Sequence, residues 1–187
     1  MNIIPTAIEG VLILEPRVFG DERGYFFESY NQKLFADAGI GAVFVQDNQS
    51  FSQRGILRGL HFQTGSHAQA KLVRAVAGTV LDVVVDIRPG SATYGRHVAV
   101  ELSAENHRQL FVPRGFAHGF IVLSETALFS YKCDNFYNKD AEGGLCYNDP
   151  VLGIDWRMPQ GDIRVNERDA TFPLLADLKA SQQGAAA

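Results

Sequence analysis

Lys71-Leu72-Val73-Arg74-Ala75-Val76-Ala77-Gly78-Thr79-Val80-Leu81-Asp82-Val83-Val84-Val85-Asp86-Ile87 is the stretch that decides the fold. Residues 71–77 and 80–87 are two runs rich in Val, Leu and Ile, and Ala77-Gly78-Thr79 between them reads as a hairpin turn. Arg88-Pro89-Gly90-Ser91 ends the second run as a turn cluster. Outward from this hairpin the same grammar recurs. Further strands are expected at 10–14, 25–29, 43–51, 56–62, 96–102, 109–112, 119–123 and 126–132, with Gly, Pro, Asn or Ser between them. One helix is expected at 32–38, capped by Asn31 and ended by Gly39. No alternation of strand and helix suggests a doubly wound parallel sheet. About ten short strands in one domain predict an all-β jelly roll or sandwich.

The chain has 187 residues, enough for one domain at roughly 100–200 residues per domain. Residues 1–178 are read as that domain and 179–187 (KASQQGAAA) as a small, polar tail expected to be mobile. Seventeen Lys and Arg against 21 Asp and Glu give a net charge of −4, without the basic footprint of a nucleic-acid binder. The start, MNIIPTAIEG, lacks a cationic leader, and no apolar run approaches the ~20 residues needed to cross a bilayer. A cytoplasmic protein without a membrane segment is the expectation. Two cysteines, Cys133 and Cys146, make neither a disulfide framework nor a zinc ribbon, and are read as buried small hydrophobes.

Polar residues interrupt several of the apolar segments. They are Gln46-Asp47-Asn48-Gln49-Ser50, then Arg58 and His61 within Leu57–Gln63, then Arg114 and His118 within the run from Pro113 to Phe120. An imidazole or guanidinium among Leu and Phe needs an acceptor, either from the protein or from a ligand. His61 suits a general base, since an imidazole titrates near neutrality. Asp47, Asp82, Asp86 and Asp169 are all candidates to orient it, and spacing does not choose among them. Lys71 can stabilise a developing oxyanion, and Tyr131 and Tyr137 can donate protons or stack on a ring. Lys71 shares strand parity with Val73 and Ala75, which predicts an inward side chain. Arg58 and His61 are three apart and cannot share a face of a regular strand, so an irregularity is predicted near Gly59.

Read in order, Asp21-Glu22-Arg23-Gly24-Tyr25-Phe26-Phe27-Glu28, Gln46 to Ser50, Gly55 to Gln63, Gln69 to Val73, Asp82 to Arg88 and Pro113 to Phe120 resemble the dTDP-4-dehydrorhamnose 3,5-epimerase family. The resemblance implies a cupin-type jelly roll, a homodimer, and a dTDP-linked 4-keto-6-deoxy sugar as substrate, with no cofactor and no metal. Pro113-x-Gly115-x-x-His118 also resembles the second motif of metal-binding cupins, but the first needs an H-x-H pair and here Gln63 follows His61. By resemblance His61 is the proton acceptor, Asp169 its partner, Lys71 the residue beside the C4 carbonyl and Tyr131 the proton donor. Tyr137 stacks on the thymine. Arg23, Glu28, Gln46, Asp47, Asn48, Arg58, His118, Glu142 and Arg168 line the nucleotide and sugar site, with Arg23 and Glu28 reaching the partner subunit's site. Arg168 stands where many members carry Lys, which keeps the cation and changes its geometry.

Overall fold

A computed structural model of the protein describes residues 1–184. In chain order the first strands are β1 (Asn2–Pro5), β2 (Leu12–Glu15), β3 (Phe19–Asp21), β4 (Gly24–Phe26), β5 (Gln46–Gln53), β6 (Leu57–Gln63) and β7 (Lys71–Ala77). The rest are β8 (Thr79–Asp86), β9 (His97–Ser103), β10 (Gln109–Val112), β11 (Phe116–Val122), β12 (Thr126–Cys133) and β13 (Glu142–Gly144). Three α-helices accompany them: α1 (Gln32–Asp37), α2 (Glu167–Ala170) and α3 (Leu175–Gly184). One sheet has the order β1-β2-β10-β7-β12-β5, the other β13-β6-β11-β8-β9, and β3-β4 form a separate ribbon. Every pairing within them is antiparallel. The architecture is the jelly roll expected from the strand pattern, of the cupin type that the family resemblance implied.

Strand β8 shows why the sequence folds this way. Val80 and Val84 point into the space between the sheets, against Val73, Phe120 and Phe129. Leu81, Val83 and Val85 point the other way, under Trp156, Leu175 and Leu57 of the covering segments. With both faces covered, residues 80–85 are apolar except at Asp82, which sits at the inward parity and marks a site. On the outer face of the larger sheet, α1 seals Leu14, Leu72 and Phe111 with Phe35. Asn31 caps α1 as expected, its side chain accepting from the N–H groups of Lys33 and Leu34.

Several elements differ from expectation. The turn at Gly78 closes no hairpin: β7 pairs with β10 and β12 in one sheet and β8 with β11 and β9 in the other, so the chain crosses between the sheets there. Residues 43–45 lie outside the ladder, and β5 begins at Gln46. Strand β11 begins at Phe116 rather than 119, because His118 finds a buried carboxylate and can be enclosed. The run expected at 25–29 is a short ribbon strand, Gly24–Phe26, paired with Phe19–Asp21. Strands β1, β3 and β13 and helices α2 and α3 were not expected. Helix α3 carries the backbone through Gly184, so the expected tail from 179 is helical to that point, and 185–187 lie outside the described residues. No helix among the described residues is long and apolar enough to cross a membrane.

The irregularity predicted near Gly59 is present. His118 pairs with His61 and Phe120 with Arg58, so β6 spends three residues where β11 spends two. The extra residue resets the alternation, leaving Leu57 and Leu60 in the outer core while Arg58 and His61 both face inward. Gly59 makes this affordable. Its φ is +135°, and a Cβ there would lie 2.5 Å from the Cα of Gly119.

Candidate active site

One end of the barrel opens into a cleft of two adjoining lobes of about 250 and 310 Å³. Asn48, His61, Lys71, Tyr131 and Glu142 line both lobes. His61 comes from the five-stranded sheet, and Lys71 and Tyr131 come from neighbouring strands of the six-stranded sheet. The imidazole therefore faces the ammonium and the phenol across the cleft.

His61 Nε2 lies 2.9 Å from Oδ1 of Asp169. Asp169 sits in α2, where Asn166 caps the helix and accepts the Asp169 N–H at 2.7 Å. Its second oxygen accepts the Gly59 N–H at 3.1 Å, so the bulge that turns His61 inward also anchors the carboxylate that orients it. Burial of Asp169 works to raise its pKa, but the His61 and Gly59 hydrogen bonds and the Arg168 charge outweigh it and hold the carboxyl below the usual range. An ionised Asp169 accepts a hydrogen bond from Nε2–H, which leaves Nδ1 with the free lone pair. Phe172 meets the imidazole edge-on, ring centroids 5.7 Å apart.

Lys71 lies inward, as parity predicted, with Nζ 6.0 Å from the centre of the Tyr131 ring. Burial lowers its pKa, and Cys133, Asp82 and Glu142 nearby offset part of that. Burial raises the Tyr131 pKa, so its hydroxyl stays a donor at neutral pH. It likewise pushes the Cys133 thiol up to about 11, leaving a protonated sulfur in the wall beside Lys71.

The floor holds a second imidazole–carboxylate pair. His118 Nε2 lies 3.0 Å from both oxygens of Asp82, and both side chains are buried. Burial pushes Asp82 up and His118 down, each moderated by the other, so His118 is held as neutral imidazole. At the mouth, the Tyr137 hydroxyl donates to Glu142 Oε2 at 2.9 Å, and Arg168 Nη1 donates to the same oxygen at 2.7 Å.

Of the residues singled out in the sequence, Gln46, Asn48, Arg58, His61, Lys71, His118, Tyr131, Tyr137, Glu142, Arg168 and Asp169 converge on this cleft. Asp47 does not. It alternates with Gln46 and Asn48, faces outward and pairs with Lys132 Nζ at 2.8 Å, so its side chain is corrected to the outside of the barrel. Arg23 and Glu28 are also outside the cleft of their own chain. Arg23 is paired with Asp21 beside the exposed ribbon, and Glu28 accepts from Asn31. The sequence assigned no role to Ser50 or Asn166, and Asp82, weighed there as a partner for His61, is paired with His118 instead. Ser50 Oγ is a buried side-chain oxygen without a hydrogen-bond partner, and it lines the deeper lobe. Its shared parity with Gln46 and Asn48 was the available signal. Among the described residues no group of three or more His, Cys, Asp or Glu is arranged to hold a metal ion.

The comparisons with known proteins agree with this geometry. The family model described as dTDP-4-dehydrorhamnose 3,5-epimerase matches residues 5–177. The dTDP-4-dehydrorhamnose 3,5-epimerase of Salmonella typhimurium is 56% identical over 176 residues, covering 94% of this chain and 96% of the relative. A Legionella pneumophila dTDP-6-deoxy-D-glucose-3,5-epimerase, solved in complex with dTDP-4-keto-L-rhamnose, is 49% identical with a TM-score of 0.90, covering 95% of this chain and 96% of its own. A 3'-monoepimerase from Streptomyces bikiniensis, solved with dTDP-quinovose, is 35% identical with a TM-score of 0.86, covering 96% and 90%. Motif order, barrel and cleft thus lead to one conclusion: the chain belongs to the dTDP-4-dehydrorhamnose 3,5-epimerase family.

Proposed function

We propose that the cleft inverts carbons C3 and C5 of a dTDP-linked 4-keto-6-deoxy sugar, converting dTDP-4-dehydro-6-deoxy-D-glucose into dTDP-4-dehydro-L-rhamnose. The C4 ketone acidifies the hydrogens on both neighbouring carbons. His61 takes one of them, the C–H electron pair enters the ring, and the charge collects on the C4 oxygen as an enolate. Lys71 stabilises that oxygen, a preorganised contact of a kind whose removal costs about 2.7–4 kcal/mol. Tyr131 returns a proton to the planar carbon from the opposite face. The Tyr131 phenolate is then reprotonated and His61 releases its proton to solvent, so substrate and product are isomers and no electrons are exchanged.

One observation carries this reading. A base oriented by a buried carboxylate stands on one wall of a cleft, and a protonated phenol and a lysine stand on the other. Inversion through a planar intermediate needs two proton-transfer groups on two faces, each contributing typically ~10²–10⁴-fold. Ser50, Arg58 and His118 in the deeper lobe offer hydrogen bonds to the sugar hydroxyls. Tyr137 at the mouth is the stacking platform for the thymine, with Gln46 beside it.

The working unit in this proposal is a cytoplasmic homodimer. The β3-β4 ribbon exposes Phe19, Tyr25 and Phe26, at 52%, 61% and 66%, an apolar surface suited to a second copy of the chain. Such docking would carry Arg23 and Glu28 to the partner's cleft. The test is to supply dTDP-4-dehydro-6-deoxy-D-glucose and read the product's configuration by NMR. The L-rhamno product is expected, and unaltered substrate would refute the proposal.

A further inference from the structure

A single carboxylate oxygen joins the mouth of the cleft to its chemistry. Glu142 Oε2 accepts from the Tyr137 hydroxyl at 2.9 Å and from Arg168 Nη1 at 2.7 Å. The other side of the same guanidinium faces the base. Arg168 Nε and Nη2 each lie 3.4 Å from Asp169 Oδ1, and Nη2 lies 3.3 Å from His61 Nε2. Oδ1 is also the atom that orients His61, at 2.9 Å.

Arg168 and His61 therefore compete for one oxygen. A guanidinium has donors only, so it cannot share Nε2–H; it can only draw Oδ1 toward itself. The distances show where the balance stands: the guanidinium is held short on Glu142 and long on Asp169. Glu142 in turn is fixed by the Tyr137 hydroxyl. We propose that Tyr137 Oη, Glu142 and Arg168 form a positioning chain that holds the guanidinium off Asp169, so that a base stacked on Tyr137 locks His61 in its productive orientation. The proposal rests on the epimerase reading and extends it, making Tyr137 a positioning residue as well as a platform.

Four features make the chain a functional device and not a structural one. Tyr137 is half exposed and its hydroxyl stands at the rim, so folding does not depend on that group. Its backbone N–H is anchored separately, donating to Gln46 Oε1 at 3.1 Å. Only a planar fork can reach Glu142 and Asp169 together, whereas an ammonium is a point charge. The hydrogen bond to Glu142 also raises the Tyr137 pKa, which keeps the hydroxyl a donor.

The test compares wild type, Tyr137→Phe, Arg168→Lys and the double variant. Kd for dTDP is measured by calorimetry, and kcat by deuterium entry into C3 and C5 of the saturating keto sugar nucleotide. Tyr137→Phe keeps the stacking ring, so Kd for dTDP should stay within about threefold while kcat falls about tenfold, in line with the cost of a slightly misplaced base. Arg168→Lys should lower kcat to a similar degree. The double variant should be no slower than the slower single variant, since residues of one network are not additive. A Tyr137→Phe protein with wild-type kcat, a loss confined to Kd, or multiplicative losses in the double variant would each overturn the chain while leaving the epimerase reading intact. A wild type that incorporates no deuterium would overturn that reading and the proposal with it.

Discussion

His61 and Tyr131 line the same cleft from different sheets, His61 on β6 of the five-stranded sheet and Tyr131 on β12 of the six-stranded one. A sugar ring between them presents one face to the imidazole and the other to the phenol. The jelly roll supplies this opposition for free, because any two inward residues on facing sheets approach a ligand from opposite sides.

Tyr131→Phe separates the two half-reactions. The ring and its packing against Phe129, centroids 6.2 Å apart, are kept and only the proton is lost. Removal of substrate protons should continue, while formation of inverted product falls by ~10²–10⁴-fold. Proton NMR in D₂O reads both. Undiminished inversion would assign proton delivery to another group.

Lys71→Met should lower kcat by ~10²–10³-fold, the ordinary loss for an oxyanion contact. Its charge also sets a pH limit. Burial lowers the Lys71 pKa, so the ammonium is present below that pKa and lost as pH rises through it. The alkaline fall of kcat/KM in wild type should start at lower pH than an exposed lysine would give. Burial raises the Tyr131 pKa, so that phenol deprotonates later and does not mimic the effect. In Lys71→Met this limb should flatten; a retained limb would mean another group titrates there.

Gly59→Ala should cost both stability and activity. The φ of +135° and the 2.5 Å approach to Gly119 leave no room for a methyl group, and the strain is of order 1–3 kcal/mol. Relief of that strain moves the Gly59 N–H away from Asp169. Denaturant melts and kcat should fall together; a protein with wild-type stability and kcat would show that the bulge does not hold the pair.

The fold was legible from alternation and turns because each long strand carries its own pattern. Strand β7 is where the sequence placed it, and Lys71 points inward by parity alone, but the turn at Gly78 closes no hairpin, because β7 and β8 belong to different sheets. Even the bulge was readable, as a conflict between Arg58 and His61 that only an extra residue resolves. The short strands β1, β3 and β13 were not, since three or four residues hold too little periodicity and depend on their partners for definition. Parity could have turned the Asp47 side chain outward and that of Ser50 inward. Asp169 could not be preferred from spacing over Asp82, because the choice is made by tertiary folding: α2 brings Asp169 to His61, while β8 gives Asp82 to His118.

The central claim is that one imidazole removes the hydrogens from both carbons. The direct measurement is deuterium incorporation from D₂O into C3 and C5 of dTDP-4-dehydro-6-deoxy-D-glucose, wild type against His61→Asn, followed by NMR. The account predicts label at both carbons with wild type and at neither with the variant. Label entering either carbon at the wild-type rate in His61→Asn would contradict it.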